Sequence, residues 1–199
     1  MLDPMLDPAQ IAPERVRGLR RREYELLIEQ GAFVDEPIEL LRGVLVEMSP
    51  QGPTHSNLVA WLVQRFCGVL AFERFDVRGH SPYIASDDSM PEPDVSISRR
   101  KNSIAHPDRA LLLIEVSGSS LRKDRGIKTE IYAEAGVPEY WIVNIKTREV
   151  EVLTRPTATG YARRGVMRAG DILRPLNVPG GALRVSDIPW GARKRKRSR

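Results

Sequence analysis

The sequence predicts an α/β fold in which a mixed central β-sheet is flanked by helices. Apolar runs of strand length alternate with amphipathic helical stretches, which is typical of this class. Residues 110–117 are apolar almost throughout, as expected for a strand that is covered on both faces. The length of 199 residues suits one domain with a full hydrophobic core. We predict a flexible arm at 1–13, a single domain at 14–190 and a basic tail at 191–199.

The domain is predicted to begin with a helix and a hairpin. The helix covers residues 14–30 and ends at Gly31, because glycine commonly follows the last helical turn. Residues 38–48 form the hairpin, since β-prone residues flank a turn at Arg42 and Gly43.

A second helix and three strands are predicted next. Residues 54–70 carry apolar side chains at helical spacing. The buried stripe of this helix is predicted to comprise Leu58, Leu62, Phe66 and Val69. The three strand candidates are residues 74–84, 94–98 and 110–117.

The last third of the domain predicts one more helix and a strand pair. The helix covers residues 121–135 and is closed by Gly136. Residues 140–145 form an apolar strand, and residues 149–154 are its expected hairpin partner. From Pro156 onward we predict only short strands and turns.

The net charge of +5 comes from the C-terminal end of the chain. Residues 193–199 read RKRKRSR, and without their six basic groups 25 basic residues face 26 acidic ones. Such a segment either binds phosphates through counterion release or is a solvated end, and both readings stay open. No apolar run is long enough to span a bilayer, and no secretory pattern opens the chain. Cys67 is the only cysteine, which excludes an intramolecular disulfide. We therefore expect a cytoplasmic protein with no membrane partner.

Glu115 is the first candidate site residue, because it lies within the apolar run. A buried, unpaired carboxylate is costly, so Glu115 needs a partner, a proton or a metal ion. The alternative is a structural ion pair within the sheet. Period-2 alternation predicts one face of the strand with Leu111, Leu113, Glu115 and Ser117, and the other with Leu112, Ile114 and Val116.

Four further residues are candidates, and each has an ordinary structural alternative. Asp94 opens its strand, where an edge or turn aspartate is common. Lys128 borders the buried face of the third helix, and a surface pair with Asp124 is the alternative. Glu39 is a charge within the apolar first strand of the hairpin. His55 faces inward at the start of the second helix, where we favour a capping or core role.

The order of these motifs resembles that of the Uma2 family of restriction-endonuclease-like proteins, within the PD-(D/E)XK nuclease superfamily. The likeness covers residues 20–155 and is carried by IELLRGVLVEMSP, PEPDV, LLLIEVS and KDRGIKTEIYAEAGVPEYWIV, with His55 opening a helix. The resemblance implies a restriction-endonuclease-like fold in which the two motif acids lie on adjacent strands. It also implies a metal-dependent nuclease.

The resemblance further implies which residues bind the metal. Asp94 matches the aspartate of the PD motif, and Glu115 matches the acid of the (D/E)XK motif. Both would bind Mg²⁺, with Mn²⁺ as a possible substitute, together with the carbonyl of Val116. Glu39 matches the family's N-terminal glutamate near the metal.

The lysine of the motif is the main departure from the superfamily pattern. The position two residues after the acid is Ser117 here, whereas Uma2-like families have a lysine on the following helix, which Lys128 matches. Lys128 would orient the attacking water or neutralise charge, and His55 would contact the phosphate or a metal-bound water. A second departure is Arg42, where the family usually has an acidic residue before the turn glycine.

The predicted function is therefore Mg²⁺-dependent hydrolysis of DNA phosphodiester bonds by an endonuclease. A homodimer is a further expectation, because a double-strand cut needs two sites or two visits. Three alternatives stay open: a non-catalytic nucleic-acid- or partner-binding module on the same fold, a hydrolase of RNA or a cyclic nucleotide, and a scaffold whose acids form a structural ion-pair network. The expectation that the substrate is DNA comes from the resemblance alone, since no base-reading element is evident in the sequence.

Overall fold

The computed structural model describes residues 14–191, so the predicted arm at 1–13 and the basic residues 193–199 lie outside the described part of the chain. The described part begins with two helices and a hairpin between them. These elements are α1 (Arg21–Glu29), β1 (Ile38–Leu41), β2 (Val44–Glu47) and α2 (Pro53–Cys67). The predicted hairpin is confirmed, because β1 and β2 pair antiparallel around Arg42 and Gly43.

Both predicted helices of this region are shorter than their apolar patterns. Residue 20 has an extended backbone, and the Glu23 carboxylate accepts a hydrogen bond from the Arg20 N–H (2.8 Å), so α1 begins at Arg21 rather than at residue 14. In α2, three of the four predicted stripe residues are fully buried. The fourth, Val69, was predicted wrongly: the helix ends at Cys67, and Val69 is 37% exposed beyond it.

A six-stranded mixed sheet forms the centre of the structure, with its strands in chain order. They are β3 (Phe75–Gly79), β4 (Val95–Arg99), β5 (Leu112–Ser117), β6 (Glu139–Asn144), β7 (Glu149–Thr157) and β8 (Gly160–Met167). Only β5 and β6 run parallel, and the other neighbouring pairs are antiparallel. The predicted class, an α/β fold with a mixed sheet and flanking helices, is confirmed.

Alternation along β5 divides the core into two layers, as its sequence predicts. Leu111 was predicted wrongly: it precedes the strand and packs on the α2 side rather than with Leu113. Leu112, Ile114 and Val116 pack on the side covered by α2, within one buried cluster. Leu113 packs on the opposite side with Ile131, within another. The sheet is therefore covered on both faces, which explains why β5 is apolar almost throughout.

The predicted helix over 121–135 is broken in the middle. The structure has α3 (Leu121–Lys123), a wide turn (Asp124–Lys128) and α4 (Thr129–Glu134). The backbone angles of Gly126 leave the helical range (φ −101°, ψ −108°), and this residue marks the kink. Gly136 does follow the helix end with a positive φ of 71°, as predicted.

The strands also differ from the prediction at two places. The strand predicted over 74–84 ends at Gly79. Beyond Pro156, where only short strands were expected, β7 continues to Thr157 and pairs with the eight-residue β8. Two short strands, β9 (Ile172–Leu173) and β10 (Leu183–Arg184), form a separate pair. Among the helices of residues 14–191, none has the length and apolar character needed to cross a membrane.

The hairpin turn depends on the absence of a side chain at Gly43. Its φ is +76°, and a Cβ atom there would lie 2.8 Å from the Gly18 Cα. We expect Gly43→Ala to lower the free energy of unfolding by about 1–3 kcal/mol, because both the backbone angle and the close approach oppose a side chain. Urea denaturation measures this change.

Gly165→Ala is the matched control, because a Cβ atom at Gly165 would meet no atom within 4 Å. We expect that variant to stay within about 0.5 kcal/mol of the wild type. Equal stability of the two variants would contradict the proposed role of the Gly18–Gly43 contact.

Candidate functional site

An open pocket of about 480 Å³ brings together most of the predicted site residues. Asp94, Glu115, Lys128 and His55 all line it. They come from the residue before β4, from β5, from the wide turn and from the start of α2. Glu39, on β1, does not line the pocket, but it is fully buried and pairs with two lysines that do.

Lys128 is the central cation of this site. Its Nζ lies 2.8 Å from Glu115 Oε1 and 3.0 Å from Glu39 Oε2, and the side chain is only 3% exposed. The predicted position at the border of the buried face was therefore wrong, since Lys128 is enclosed. The alternative of a surface pair with Asp124 is also excluded, because Asp124 is itself buried and accepts hydrogen bonds from Ser117 and Ser120 (both 2.6 Å).

A second lysine, which the sequence reasoning missed, reaches the same carboxylate. Lys123 Nζ lies 2.5 Å from Glu39 Oε1, so the two oxygens of Glu39 each face one ammonium group. Side chains five residues apart on a regular α-helix would diverge by roughly 140°, given 3.6 residues per turn. The wide turn at Asp124–Lys128 removes that divergence and lets Lys123 and Lys128 converge on Glu39.

Glu115 is held by two donors on one oxygen. Its Oε1 accepts hydrogen bonds from Lys128 Nζ (2.8 Å) and from the Tyr132 hydroxyl (2.7 Å). Burial raises the pKa of Glu115 well above its usual range; Lys128 opposes this, and neighbouring Asp124 and Asp94 add to it. The carboxylate is thus placed where a further cation would stabilise its ionised form.

Asp94 is oriented by a backbone amide and His55, and a second histidine lies close to it. Its Oδ2 accepts a hydrogen bond from the Val116 N–H (2.7 Å) and lies 3.1 Å from His55 Nε2. Its Oδ1 lies 3.4 Å from His80 Nδ1. Burial works against the charged form, but the bonds from His55 and Val116 outweigh it and hold the pKa of Asp94 below its usual value. Within residues 14–191 the buried His55 Nδ1 has no hydrogen-bond partner.

His80 and Glu92 also line the pocket, and the sequence reasoning missed both. His80 follows β3 with a φ of 45°, and no pattern in the sequence marks it. Glu92 stands two residues before Asp94 in the PEPDV stretch, so its spacing could have indicated it. Burial and the nearby Glu39 raise the pKa of Glu92 to about 6.

Acidic groups outnumber cations in this site. Five carboxylates surround two lysine ammonium groups; the acids are Glu39, Glu92, Asp94, Glu115 and Asp124. Burial of such an excess is costly unless some groups are protonated or a cation is added. Among residues 14–191, no three His, Cys, Asp or Glu side chains already form a cage for a metal ion. Mg²⁺, however, is commonly held by one or two carboxylates and waters, and the pair Asp94 and Glu115 supplies that donor set.

Lys128 should therefore dominate the stability of this region. We expect Lys128→Met to lower the free energy of unfolding by about 3–5 kcal/mol at neutral pH, because it leaves buried carboxylates uncompensated. In the wild type, burial disfavours the charged form of Glu39, but Lys128 and Lys123 outweigh this and hold its pKa below the usual range. The resulting contribution of Glu39 to the free energy of unfolding is present above the unfolded pKa of about 4.3 and is lost as the pH falls.

In the variant the contribution of Glu39 to stability changes sign, and that of Glu115, whose pKa is already raised in the wild type, becomes more unfavourable. Without Lys128, the folded pKa values of Glu39 and Glu115 should lie above the unfolded value, so each group destabilises the fold as the pH rises. The stability difference between wild type and Lys128→Met should thus grow from about pH 4 to about pH 8. Urea denaturation across this range measures it, and a difference that shrinks with pH would contradict the pairing.

Comparison with known proteins identifies the family. The sequence profile of Uma2, described as "Putative restriction endonuclease", matches residues 22–186. Among solved structures, a "putative nuclease belonging to DUF820 from Anabaena variabilis ATCC 29413" has a similar fold, with a TM-score of 0.62 and 18% identity over 77% of this chain and 90% of that one. No curated protein matches the chain. Because the Uma2 profile covers most of its length, the chain belongs to the Uma2 family.

Proposed function

We propose that this protein is an endonuclease that hydrolyses DNA phosphodiester bonds with Mg²⁺ or Mn²⁺ at the pocket of Asp94 and Glu115. The observation that carries this proposal is the excess of buried carboxylates beside an enclosed lysine, at the bottom of an open pocket. A hard divalent cation would balance that charge, and it is also the cofactor that phosphodiester hydrolysis commonly needs.

The residues around the pocket fit such an ion. Asp94 and Glu115 would hold it with their carboxylate oxygens. The backbone carbonyl of Val116 is a third candidate ligand, because the N–H and C=O of a strand residue point to the same edge and the Val116 N–H bonds to Asp94. When bound, the ion would polarise the scissile phosphate and lower the pKa of a bound water.

Lys128 acts as a fixed positive charge in this proposal, rather than as a base. Burial works to lower the pKa of Lys128, but Glu115 and Glu39 outweigh it, and the pKa is raised above its usual value. The ammonium group stays protonated at neutral pH and stabilises negative charge that develops on the phosphate. Glu39 serves as a positioning residue, since its two oxygens hold Lys123 and Lys128.

The two histidines have a supporting role. His55 and His80 stack with ring centroids 6.0 Å apart, and both reach Asp94. The hydrogen bond of His55 holds the Asp94 carboxylate in its orientation. His80 is 42% exposed, so it is also accessible to a phosphate of the substrate.

Glu115→Ala tests the proposal directly. We expect it to remove Mg²⁺ binding and to reduce plasmid cleavage at least ~100-fold. Loss of a residue that only supports a metal ligand already lowers activity by up to ~100-fold, and Glu115 would be a ligand itself. Isothermal titration and plasmid cleavage on the same samples measure the two effects. Undiminished, metal-dependent cleavage by the variant would exclude Glu115 from the site.

Glu151→Gln is the matched control. Glu151 is also a buried carboxylate, but it pairs with Arg125 and Arg164 and lies outside the pocket. We expect this variant to bind Mg²⁺ and to cut like the wild type. An equal loss in both variants would indicate a general effect on folding, and thermal unfolding monitored by circular dichroism would reveal it.

The alternative is a nucleic-acid- or partner-binding module without catalysis. It is favoured by the engagement of Glu39 and Glu115 with Lys128, which already satisfies part of their charge. The same titration separates the two functions. A module that only binds would take up DNA without metal and would keep that affinity after Asp94→Asn.

The basic residues 193–199 lie outside the described residues. The last described residue, Gly191, lies beside the pocket. Arg148 donates a hydrogen bond to the Gly191 carbonyl (2.6 Å), and a Cβ atom on Gly191 would lie 3.6 Å from Thr54 of the pocket lining. Removal of residues 193–199 should weaken DNA binding and lower its salt slope by up to about five, because fewer counterions are released. An unchanged slope would exclude these residues from binding.

A further inference from the structure

Three arginines line a cleft that is separate from the candidate site. Arg74, Arg99 and Arg174 border this cleft of about 600 Å³, together with the loop of residues 175–182, and its lining contains no acidic side chain. Within residues 14–191, no carboxylate lies within 4.0 Å of these guanidinium groups, and their side chains donate no hydrogen bond. Unpaired cations gathered in a concave surface point to an anionic ligand.

The geometry of the strands holds two of these arginines in place. Phe75 on β3 pairs with Arg99 on β4. The buried Phe75 ring lies 4.6 Å from the Arg99 Cζ and 5.9 Å from the Arg74 Cζ. The Phe75 ring therefore orients both guanidinium groups toward solvent. The two positive charges repel each other unless an anion binds between them.

A second cleft of about 290 Å³ continues the first, because Arg174 and Ala182 line both. It adds Arg65 and Arg184, and Asp187 is its acidic residue. Together the two clefts form a groove lined by five arginines, which we call the arginine groove: Arg65, Arg74, Arg99, Arg174 and Arg184.

The charge of this groove is not a property of the whole domain. Residues 14–191 hold 25 basic and 24 acidic side chains, since six of the 31 basic residues lie in 193–199, and Asp3 and Asp7 belong to the 26 acidic ones. Five arginines against one aspartate are therefore a local concentration of positive charge. Such a concentration binds polyanions by releasing their counterions.

The arginine groove and the pocket are connected by two elements, strand β4 and helix α2. Strand β4 leads from Asp94 to Arg99, five residues or roughly 17 Å. Helix α2 leads from His55 to Arg65, ten residues or roughly 15 Å. At about 3.4 Å per base pair, these distances correspond to about five base pairs of duplex DNA.

We propose that the arginine groove binds the phosphate backbone of the nucleic acid on one flank of the bond that is cut at the pocket. A concave groove suits a narrow strand of phosphates better than a flat lipid surface. The proposal rests on the nuclease function proposed above, and it adds the part of the protein that supplies affinity for the flanking phosphates.

The double variant Arg74→Gln/Arg174→Gln tests the groove, with binding to a labelled duplex measured by fluorescence anisotropy in Ca²⁺ buffer from 50 mM to 400 mM salt. We expect weaker binding, with a slope of log Kd against log salt that falls by about 1.8, or 0.9 for each lost phosphate contact. Arg74→Lys/Arg174→Lys keeps both charges and should retain most of the slope.

Arg22→Gln/Arg163→Gln is the control, because both residues are exposed and lie outside the two clefts. An equal loss of DNA binding in the control would show that only the net charge of the protein matters, and would overturn the proposal. An unchanged salt slope in the groove variant would also overturn the proposal. If the groove variant loses binding to anionic vesicles but not to DNA, the groove belongs to a membrane surface and the proposal is again overturned.

Plasmid cleavage with Mg²⁺, run in parallel, separates the two proposals. If the wild type binds DNA through the groove but does not cut it, the nuclease function fails and the phosphate-binding groove stands. If it cuts DNA and the groove variant binds normally, only the groove fails. If the wild type binds no nucleic acid, both are overturned.

Discussion

The pairing of the buried Lys128 ammonium with Glu39 and Glu115 is the interaction on which the candidate site depends. Glu39 comes from the N-terminal hairpin, Glu115 from the central sheet and Lys128 from the turn that follows it. One cation thus joins three elements that are distant in the sequence. Loss of Lys128 would leave the buried Glu115 carboxylate without its cation, so the arrangement holds the hairpin, the sheet and the turn together.

The break in the helix after β5 is a condition for this arrangement. On a regular helix, Lys123 and Lys128 would point in different directions. The wide turn around Gly126 brings both onto Glu39, and it leaves Asp124 bonded to two serines instead of exposed. A local departure from regular structure at a functional site is a known pattern, since such departures place side chains where a regular element cannot.

Much of the fold was predictable from the sequence, because it depends on local patterns. Alternation along β5 assigned Glu115 and Ile114 to their correct faces, and the turn at Gly43 marked the hairpin. The positions of Lys123 and His80 were not predictable, since their neighbours are set by the kink at Gly126 and by the packing of β3 against α2. Periodicity indicates which face of an element is buried, but it does not indicate where an element bends.

The charges of the described domain are divided between two places with opposite roles. The pocket holds more acids than lysines, so by itself it repels a polyanion such as DNA. A phosphodiester can approach it only if a cation neutralises the carboxylates and if positive groups elsewhere supply affinity. The lysines of the pocket cannot supply it, because Glu39 and Glu115 already engage them. We propose that the arginines of the groove, at the far ends of β4 and α2, supply this affinity. This division of charge would let a domain with nearly balanced charge act on a nucleic acid.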